Sequence, residues 1–151
     1  AEELAKKYAL APYTMFIGSG ALWGETILFS MCILEEMQWK RTRYITSADF
    51  FHGTLELVEP GVPVFLFMGE DENRKLDERV RAFLTRGVTG DTDINIIDTA
   101  EFAIPGLDDE FRVIVSPWIL TVLVTDRLAR YYETVTKHNL KYRRYYHQFD
   151  Y

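Results

Sequence analysis

Two kinds of side chain in this sequence could move a proton: a pair of glutamates and a histidine downstream of them. Glu35 and Glu36 lie near the end of a helix that apolar spacing predicts from Leu22 to Gln38. Because adjacent helical residues point about 100° apart, one carboxylate can enter a cleft while the other stays solvated. Carboxylates at a helix C-terminus oppose the helix dipole, a cost often tolerated for function, but both could equally be ordinary surface charges.

His52 is the second candidate, in the segment Phe50-Phe51-His52-Gly53. A histidine can act as a general acid and base near neutral pH, and a packed or capping histidine is the structural alternative. The chain has one cysteine and three histidines, without paired ligand spacing. We therefore expect no metal site.

A turn of small residues, Gly18-Ser19-Gly20, follows a predicted strand and precedes the predicted helix. Backbone N–H groups at a helix start favour an anion, and Ser19 adds a hydroxyl, so Gly18, Ser19 and Gly20 are candidate substrate contacts. Backbone conformation alone would also explain the glycines. The further glycine of a dinucleotide-binding fingerprint is missing, and no Walker sequence occurs.

The elements that must position these residues alternate between strand and helix. The predicted strands are Tyr13 to Ile17, Arg43 to Thr46, Pro63 to Met68, Ile94 to Ile97 and, as a fifth, Arg112 to Val115; the last helix is predicted from Pro117 to about Lys137. This alternation predicts a three-layer, doubly wound α/β fold with a five-stranded parallel sheet in the flavodoxin-like order 2-1-3-4-5. Such sheets bind ligands beyond the carboxyl ends of their strands, here at loops 18–20 and 69–74.

Composition limits the partners. The chain has 151 residues, 48% of them hydrophobic, and a formal net charge of −6. This length suits one domain, and this charge leaves no general basic surface for nucleic acid or an anionic membrane. No apolar run is long enough to span a bilayer, and we expect no leader, since the opening residues Ala1 to Leu4 lack a basic region and a hydrophobic core. The single cysteine, Cys32, falls at a predicted helix core position. We therefore expect a cytoplasmic protein.

Glu36 and His52 stand sixteen residues apart, across a helix end, a strand and a loop. This pairing resembles the sugar isomerase (SIS) domain family, and within it the fructosamine-6-phosphate deglycases, which are similar to the isomerase half of glucosamine-6-phosphate synthase. The matching segments are Leu34 to Trp39, Asp49 to Glu56, Gly69 to Arg74 and Arg143 to Tyr146. The aminotransferase branch has a lysine one turn before the glutamate, where this chain has Ile33, which favours the deglycase.

The resemblance implies a sugar-phosphate substrate and assigns roles to residues of the matching segments. Glu36 would be the base, His52 a general acid and base, and Arg143 and Tyr145 would close the cleft over the substrate. Residues 1–138 would form the SIS domain, and residues 139–151 a tail packed over the active-site cleft or a dimer partner. No metal or organic cofactor is implied.

Family members carry two SIS domains in one chain, and this sequence resembles the second alone. The phosphate-binding domain usually has a loop rich in serine and threonine after its third strand, where this chain has Gly69-Glu70-Asp71-Glu72-Asn73. Three carboxylates would repel a phosphate dianion. The resemblance therefore implies a main phosphate site on another domain, and a homodimer or a pairing with a second SIS domain.

The implied reaction cleaves an amino-acid adduct of fructose 6-phosphate to glucose 6-phosphate and free amine through an enaminol. Two alternatives stay open. One is an aldose–ketose isomerase of phosphosugars, which shares the proton transfer, and the other is a noncatalytic domain that binds sugar phosphates. The domain could also be inactive without its partner domain.

Overall fold

The structure is a computed structural model that describes residues 1–150. Four helices and four strands make up its frame. The strands are β1, Tyr13–Gly18; β2, Arg41–Ile45; β3, Val64–Met68; and β4, Ile94–Asp98. The helices are α1, Glu2–Tyr8; α2, Trp23–Ile27 continued by Leu28–Met37; α3, Arg74–Thr85; and α4, Arg112–Leu120 continued by Thr121–Leu128 and Ala129–Thr136. Short 3₁₀ turns at Phe50–His52 and Thr54–Leu57 connect β2 to β3.

The sheet is parallel, with the strand order β2-β1-β3-β4. In its centre, Phe16 of β1 lies opposite Tyr44 of β2 and Phe65 of β3. The predicted α/β class, the parallel pairing and the order of the first four strands are confirmed.

Strand β3 is fully buried, because helices cover both faces of the sheet. Phe65 and Phe67 pack in the core on the side of α1, α2 and α4. Val64, Leu66 and Met68 pack in the second core, against α3 and the turns after β2. This double burial explains why the strand has a continuous apolar sequence rather than an alternating one.

The predicted fifth strand is wrong, because Arg112–Leu120 is a helix. The run Arg112 to Val115 is rich in β-branched residues, which favours a strand locally. In the structure a 3₁₀ turn, Asp109–Phe111, leads directly into the helix. The Arg112 guanidinium is held by the carboxylate of Glu70, with an Nη2–Oε1 distance of 3.0 Å. The sheet therefore has four strands among residues 1–150.

Pro117 consequently lies inside α4. The sequence-based prediction that it occupies the first position of this helix is wrong. A proline lacks the N–H that would pair with the carbonyl four residues earlier, which is that of Val113. The Ser116 hydroxyl donates to this Val113 carbonyl at 3.2 Å. This hydrogen bond, from a completely buried serine, gives the Val113 carbonyl a partner in place of the N–H that Pro117 lacks.

Cys32 lies on α2 and is partly exposed, so the predicted core position is not fully buried. Burial, with the nearby charges of Glu36 and Glu35, raises the pKa of its thiol. A raised pKa keeps the thiol protonated and therefore weakly nucleophilic, as expected for a structural cysteine.

Ser116→Ala should lower the free energy of unfolding by about 1 kcal/mol, because the Val113 carbonyl loses its hydroxyl partner. In a Pro117→Ala background the same change should cost less, because the restored N–H at position 117 can pair with that carbonyl. Urea denaturation of the four proteins measures the coupling. Equal losses in both backgrounds would contradict this explanation.

Candidate active site

The direction of α2 decides where the two glutamates lie. Since β1 and β2 are parallel, the helix between them runs back from the carboxyl end of β1 to the amino end of β2. Glu36 comes at the end of this helix, so it lies at the amino edge of the sheet. A cleft of about 690 Å³ opens there. Its charged lining residues are Glu35, Glu36, Lys40, Arg41, Arg143 and Arg144, and its aromatic ones are Trp39, Tyr145 and Tyr146.

Glu36 forms an ion pair with Arg143 across this cleft. The Oε1–Nε distance is 2.9 Å, and both side chains are partly exposed. Nη1 of the same guanidinium donates to the carbonyls of Leu140, at 2.7 Å, and Tyr142, at 2.9 Å. An ion pair this accessible adds little stability, but the three contacts fix the orientation of the carboxylate.

Glu35 points elsewhere, as its position next to Glu36 on a helix predicts. The Thr42 hydroxyl of β2 donates to its Oε1 at 2.5 Å, and the buried Ser30 hydroxyl donates to Thr42 at 2.8 Å. Glu35 is therefore tied to the neighbouring strand, whereas the partner of Glu36 comes from the tail.

Gln38 anchors the chain segment that leads into the tail. Its amide nitrogen donates to the carbonyl of His138 at 2.6 Å, and its amide oxygen accepts from the Thr136 hydroxyl at 2.8 Å. Gln38 is buried, so both hydrogen bonds are shielded from water. They join the end of α2 to the end of α4, which brings the tail to the cleft.

Trp39 has a left-handed backbone, with φ of 53°, at the end of α2. Glycine usually occupies such a position, because other residues have a steric cost there. The indole ring lies 4.3 Å from the His138 ring, between centroids, and the Arg144 guanidinium stacks over it, also at 4.3 Å. Contacts with the tail thus compensate for an unfavourable backbone conformation at the cleft.

His52 lies at the other end of the sheet. It follows the carboxyl end of β2, is exposed, and does not line the cleft that contains Glu36. Strand β2 alone separates the two edges by about 13 Å, from its five residues and the usual rise per residue. Within one chain Glu36 and His52 therefore belong to different surfaces.

The Gly18-Ser19-Gly20 turn holds an anion, but the anion is Asp71 of the same chain. The N–H of Ala21 donates to Asp71 Oδ2 at 2.6 Å, and a Cβ added at Gly20, where φ is 54°, would come within 2.2 Å of that oxygen. The Ser19 hydroxyl accepts from the N–H of Ser47 at 2.8 Å. The two loops expected to contact a ligand thus contact each other.

Asp77 is a buried carboxylate beneath these loops, and the sequence analysis missed it. It accepts from the Ser47 hydroxyl at 2.6 Å and from the Gly69 N–H at 3.3 Å. Burial raises the pKa of Asp77 to about 6, although both hydrogen bonds oppose the rise. The available sequence signal was its position on the inward face of α3, three residues before the buried Val80.

Residues 1–150 lack two further features, a metal-binding cluster and a helix that could span a membrane. No group of three histidine, cysteine, aspartate or glutamate side chains is placed to hold a metal ion. No helix in this range has the length and apolar character needed to cross a membrane.

Known proteins resemble this chain in sequence and in structure, although no family model matches it. Fructosamine deglycase FrlB of Bacillus subtilis is 30% identical over 148 residues, which cover 96% of this chain and 43% of the relative. Fructoselysine 6-phosphate deglycase of Escherichia coli is 34% identical over 116 residues, 75% of this chain and 31% of the relative. A crystal structure from Bacillus subtilis, described as a phosphosugar isomerase, superposes with a TM-score of 0.88 and 28% identity over 99% of this chain and 44% of the other.

The chain belongs to the sugar isomerase (SIS) domain family. Its four-stranded parallel sheet with helices on both faces is the architecture that it shares with the superposed structure. The chain spans less than half the length of these relatives.

The structure brings three of the predicted site residues together and leaves the others elsewhere. Glu36, Arg143 and Tyr145 line the cleft at the amino edge. Gly18, Ser19, Gly20 and His52 lie at the carboxyl edge of the sheet. The sequence analysis missed Trp39, Lys40, Arg41 and Arg144 as cleft residues, although the aromatic and basic run at the end of α2 was visible.

Substitutions at Trp39 should separate backbone strain from tail contacts. Trp39→Gly and Trp39→Ala both remove the indole, but only glycine adopts positive φ without cost, so the glycine variant should be about 1 kcal/mol more stable. Chemical denaturation compares the two. In both variants trypsin should cleave faster at Lys141 and Arg144, and unchanged cleavage would show that Trp39 does not anchor the tail.

Asp77 should make stability depend on pH. Its folded pKa, about 6, lies above the value of about 3.9 for an unfolded aspartate. The stability contributed by the protonated carboxyl is therefore fully present below about pH 4 and is lost as pH rises through 6. Relative to Asp77→Asn, the wild type should lose roughly 3 kcal/mol between about pH 4 and pH 7.5. A difference that stays constant across this range in urea denaturation would contradict the assignment.

Proposed function

We propose that this chain is the C-terminal half of a fructosamine-6-phosphate deglycase and carries the groups that transfer a proton. The observation that supports this most directly is Glu36, held by Arg143 in an open cleft of a domain whose relatives are deglycases. The substrate would be an amino-acid adduct of fructose 6-phosphate, and the products glucose 6-phosphate and the free amine.

Glu36 would act on two adjacent carbons of the substrate. In the adduct, the ketone at C2 neighbours C1, which bears the amine. Glu36 removes a proton from C1 to give an enaminol and returns it to C2, which leaves an imine between C1 and the nitrogen. Water then hydrolyses the imine and releases the amine. One carboxylate can serve both carbons because they are bonded to each other.

His52 would protonate and deprotonate the sugar oxygens, both during ring opening and at the C2 oxygen. Since His52 and Glu36 lie at opposite edges of the sheet in one chain, they can meet on one substrate only if a second chain or domain contributes one of them. A homodimer, or a pairing with a second SIS domain, satisfies this requirement. Exposure of His52 supports such a role, since an exposed imidazole is available to a neighbour.

The remaining parts of the site would be divided between the tail and another domain. Residues 139–151, of which Tyr151 lies outside the described residues, would cover the substrate, with Arg143 and Tyr145 in contact with it. The phosphate would be bound mainly outside this chain, because Asp71 already fills the anion position at the Gly18-Ser19-Gly20 turn.

A phosphosugar aldose–ketose isomerase is the second candidate, because the superposed Bacillus subtilis structure is described as a phosphosugar isomerase. The same proton transfer between C1 and C2 would serve that reaction without an amine. Measuring amine release from fructosamine 6-phosphates beside interconversion of fructose and glucose 6-phosphates separates the two.

Glu36→Gln should abolish amine release by the complete natural protein, with a loss of about 10² to 10⁴-fold, the scale of one acid–base group. Glu35→Gln is the matched control: it removes the neighbouring charge from the same cleft, but that carboxylate is bonded to Thr42 and should be dispensable for turnover. Near-wild-type activity of Glu36→Gln, with the fold intact by circular dichroism, would refute the role of this residue.

Mixing two inactive variants tests whether the site is shared between chains. His52→Asn should itself reduce turnover by about 10²-fold or more. If each site combines Glu36 of one chain with His52 of another, co-refolding Glu36→Gln with His52→Asn should restore roughly a quarter of wild-type activity, since half of random dimers are mixed and each of these has one intact site. No recovery, with mixed dimers confirmed by mass spectrometry, would contradict a shared site.

A further inference from the structure

The cleft beside Glu36 carries an excess of positive charge. Four cations line it, Lys40, Arg41, Arg143 and Arg144, against the two carboxylates of Glu35 and Glu36. The chain as a whole has a formal net charge of −6, so this excess is local and opposite in sign. A concave site lined by one sign of charge concentrates ligands of the other sign.

Three of these cations lack an acidic partner. Arg143 is paired with Glu36, whereas no carboxylate of residues 1–150 lies within ion-pair distance of Lys40, Arg41 or Arg144. Arg41 is exposed and has no contact that orients it among these residues, which leaves Lys40 and Arg144 as the better-placed pair. Lys40 is also partly buried, and burial lowers the pKa of its ammonium group with no neighbouring charge to oppose the change. A cation that has lost hydration without gaining a partner is ready to bind an anion.

Trp39 is next to both of these cations, to Arg144 through ring stacking and to Lys40 along the chain. Arg144 stacks over the indole at 4.3 Å, which restricts the guanidinium without using its N–H donors. Lys40 is the next residue in the chain, and its backbone N–H donates to the carbonyl of Leu34 at 2.8 Å. A planar guanidinium and an ammonium group thus both line the cleft that also holds Glu36.

We propose that Lys40 and Arg144 form a subsite for the α-carboxylate of the amino-acid part of the substrate. This inference rests on the proposed function and extends it to the group that the domain recognises beyond the sugar. It predicts that the preferred substrates are adducts formed through the α-amino nitrogen of an amino acid, because in these the carboxylate lies near the reacting carbon.

The chemistry of the adduct sets the distance that this subsite must span. In an adduct formed through an α-amino group, only the nitrogen and the α-carbon separate C1 from the carboxylate carbon. A group that takes the C1 proton and a group that binds the carboxylate must therefore line the same cleft, as Glu36 and the pair Lys40 and Arg144 do. The volume, about 690 Å³, is within the range of pockets that hold small molecules.

The phosphate of the substrate is the other anion that such cations could bind. A substrate analogue with a neutral group in place of the carboxylate shows which of these two anions the cations bind. Converting the carboxylate to a carboxamide removes one anion and keeps the phosphate, so it separates a carboxylate subsite from a phosphate site.

The test measures kcat and KM for amine release by the complete natural protein with two substrates, the glycine adduct and the glycinamide adduct of fructose 6-phosphate. Lys40→Gln and Arg144→Gln are compared with wild type, and Lys75→Gln, an exposed lysine on α3, is the matched control. Thermal unfolding confirms that each variant folds. Arg144→Lys, which keeps the charge but loses the planar fork, should recover part of the effect of Arg144→Gln.

We expect each glutamine variant to raise KM for the glycine adduct by about 10- to 100-fold, the scale of a lost charge-assisted hydrogen bond, with little change in kcat. The same variants should leave the glycinamide adduct almost unaffected, and Lys75→Gln should affect neither. Equal losses with both adducts would overturn the proposal in favour of the phosphate, and no loss with either would overturn it outright. If wild type releases amine from neither adduct, the proposed function fails and the subsite fails with it.

Discussion

Parallel pairing of the strands is the constraint from which the position of every candidate residue follows. Two neighbouring parallel strands must be joined by a segment that returns along the sheet, so α2 begins at one edge and ends at the other. Glu36, near the end of α2, is placed at the amino edge, and His52, after β2, at the carboxyl edge. A spacing of sixteen residues along the chain thus becomes a separation across the whole sheet. A site that uses both residues has to be completed by a second chain or domain.

The carboxyl edge, where doubly wound folds usually bind ligands, is satisfied by the chain's own charges. Asp71 occupies the anion position of the Gly18-Ser19-Gly20 turn, and Asp77 bonds Ser47 and Gly69 below it. Nearby, Arg74 forms a bidentate ion pair with Asp98, in which both guanidinium Nη atoms donate to the carboxylate. These internal pairs keep buried polar groups bonded, and they leave the loops few free donors for a phosphate. The amino edge has the opposite character, with an open cleft and unpaired cations.

The tail gains its position from contacts at the end of α2. Gln38 is hydrogen-bonded to Thr136, the last residue of α4, and to His138 just after it. Trp39 keeps a left-handed backbone while its ring contacts His138 and Arg144. Strained residues of this kind persist where surrounding contacts hold them, and they occur often at functional sites. The same contacts present Arg143 to Glu36. Orientation of the candidate base therefore depends on residues about a hundred positions away in the chain.

The sequence by itself determined the α/β class, the parallel order of four strands and the pointing of Glu36 away from Glu35, because these follow from apolar periodicity and helix geometry. It failed at Arg112 to Val115, where β-branched residues favour a strand locally but the ion pair with Glu70 and the packing of α4 favour a helix. Only the tertiary structure placed Asp71 in the glycine turn, buried Asp77, and brought Arg143 and Arg144 to the end of α2. Those arrangements join segments distant in the chain, and neither residue type nor local spacing encodes which distant partner a charge will meet.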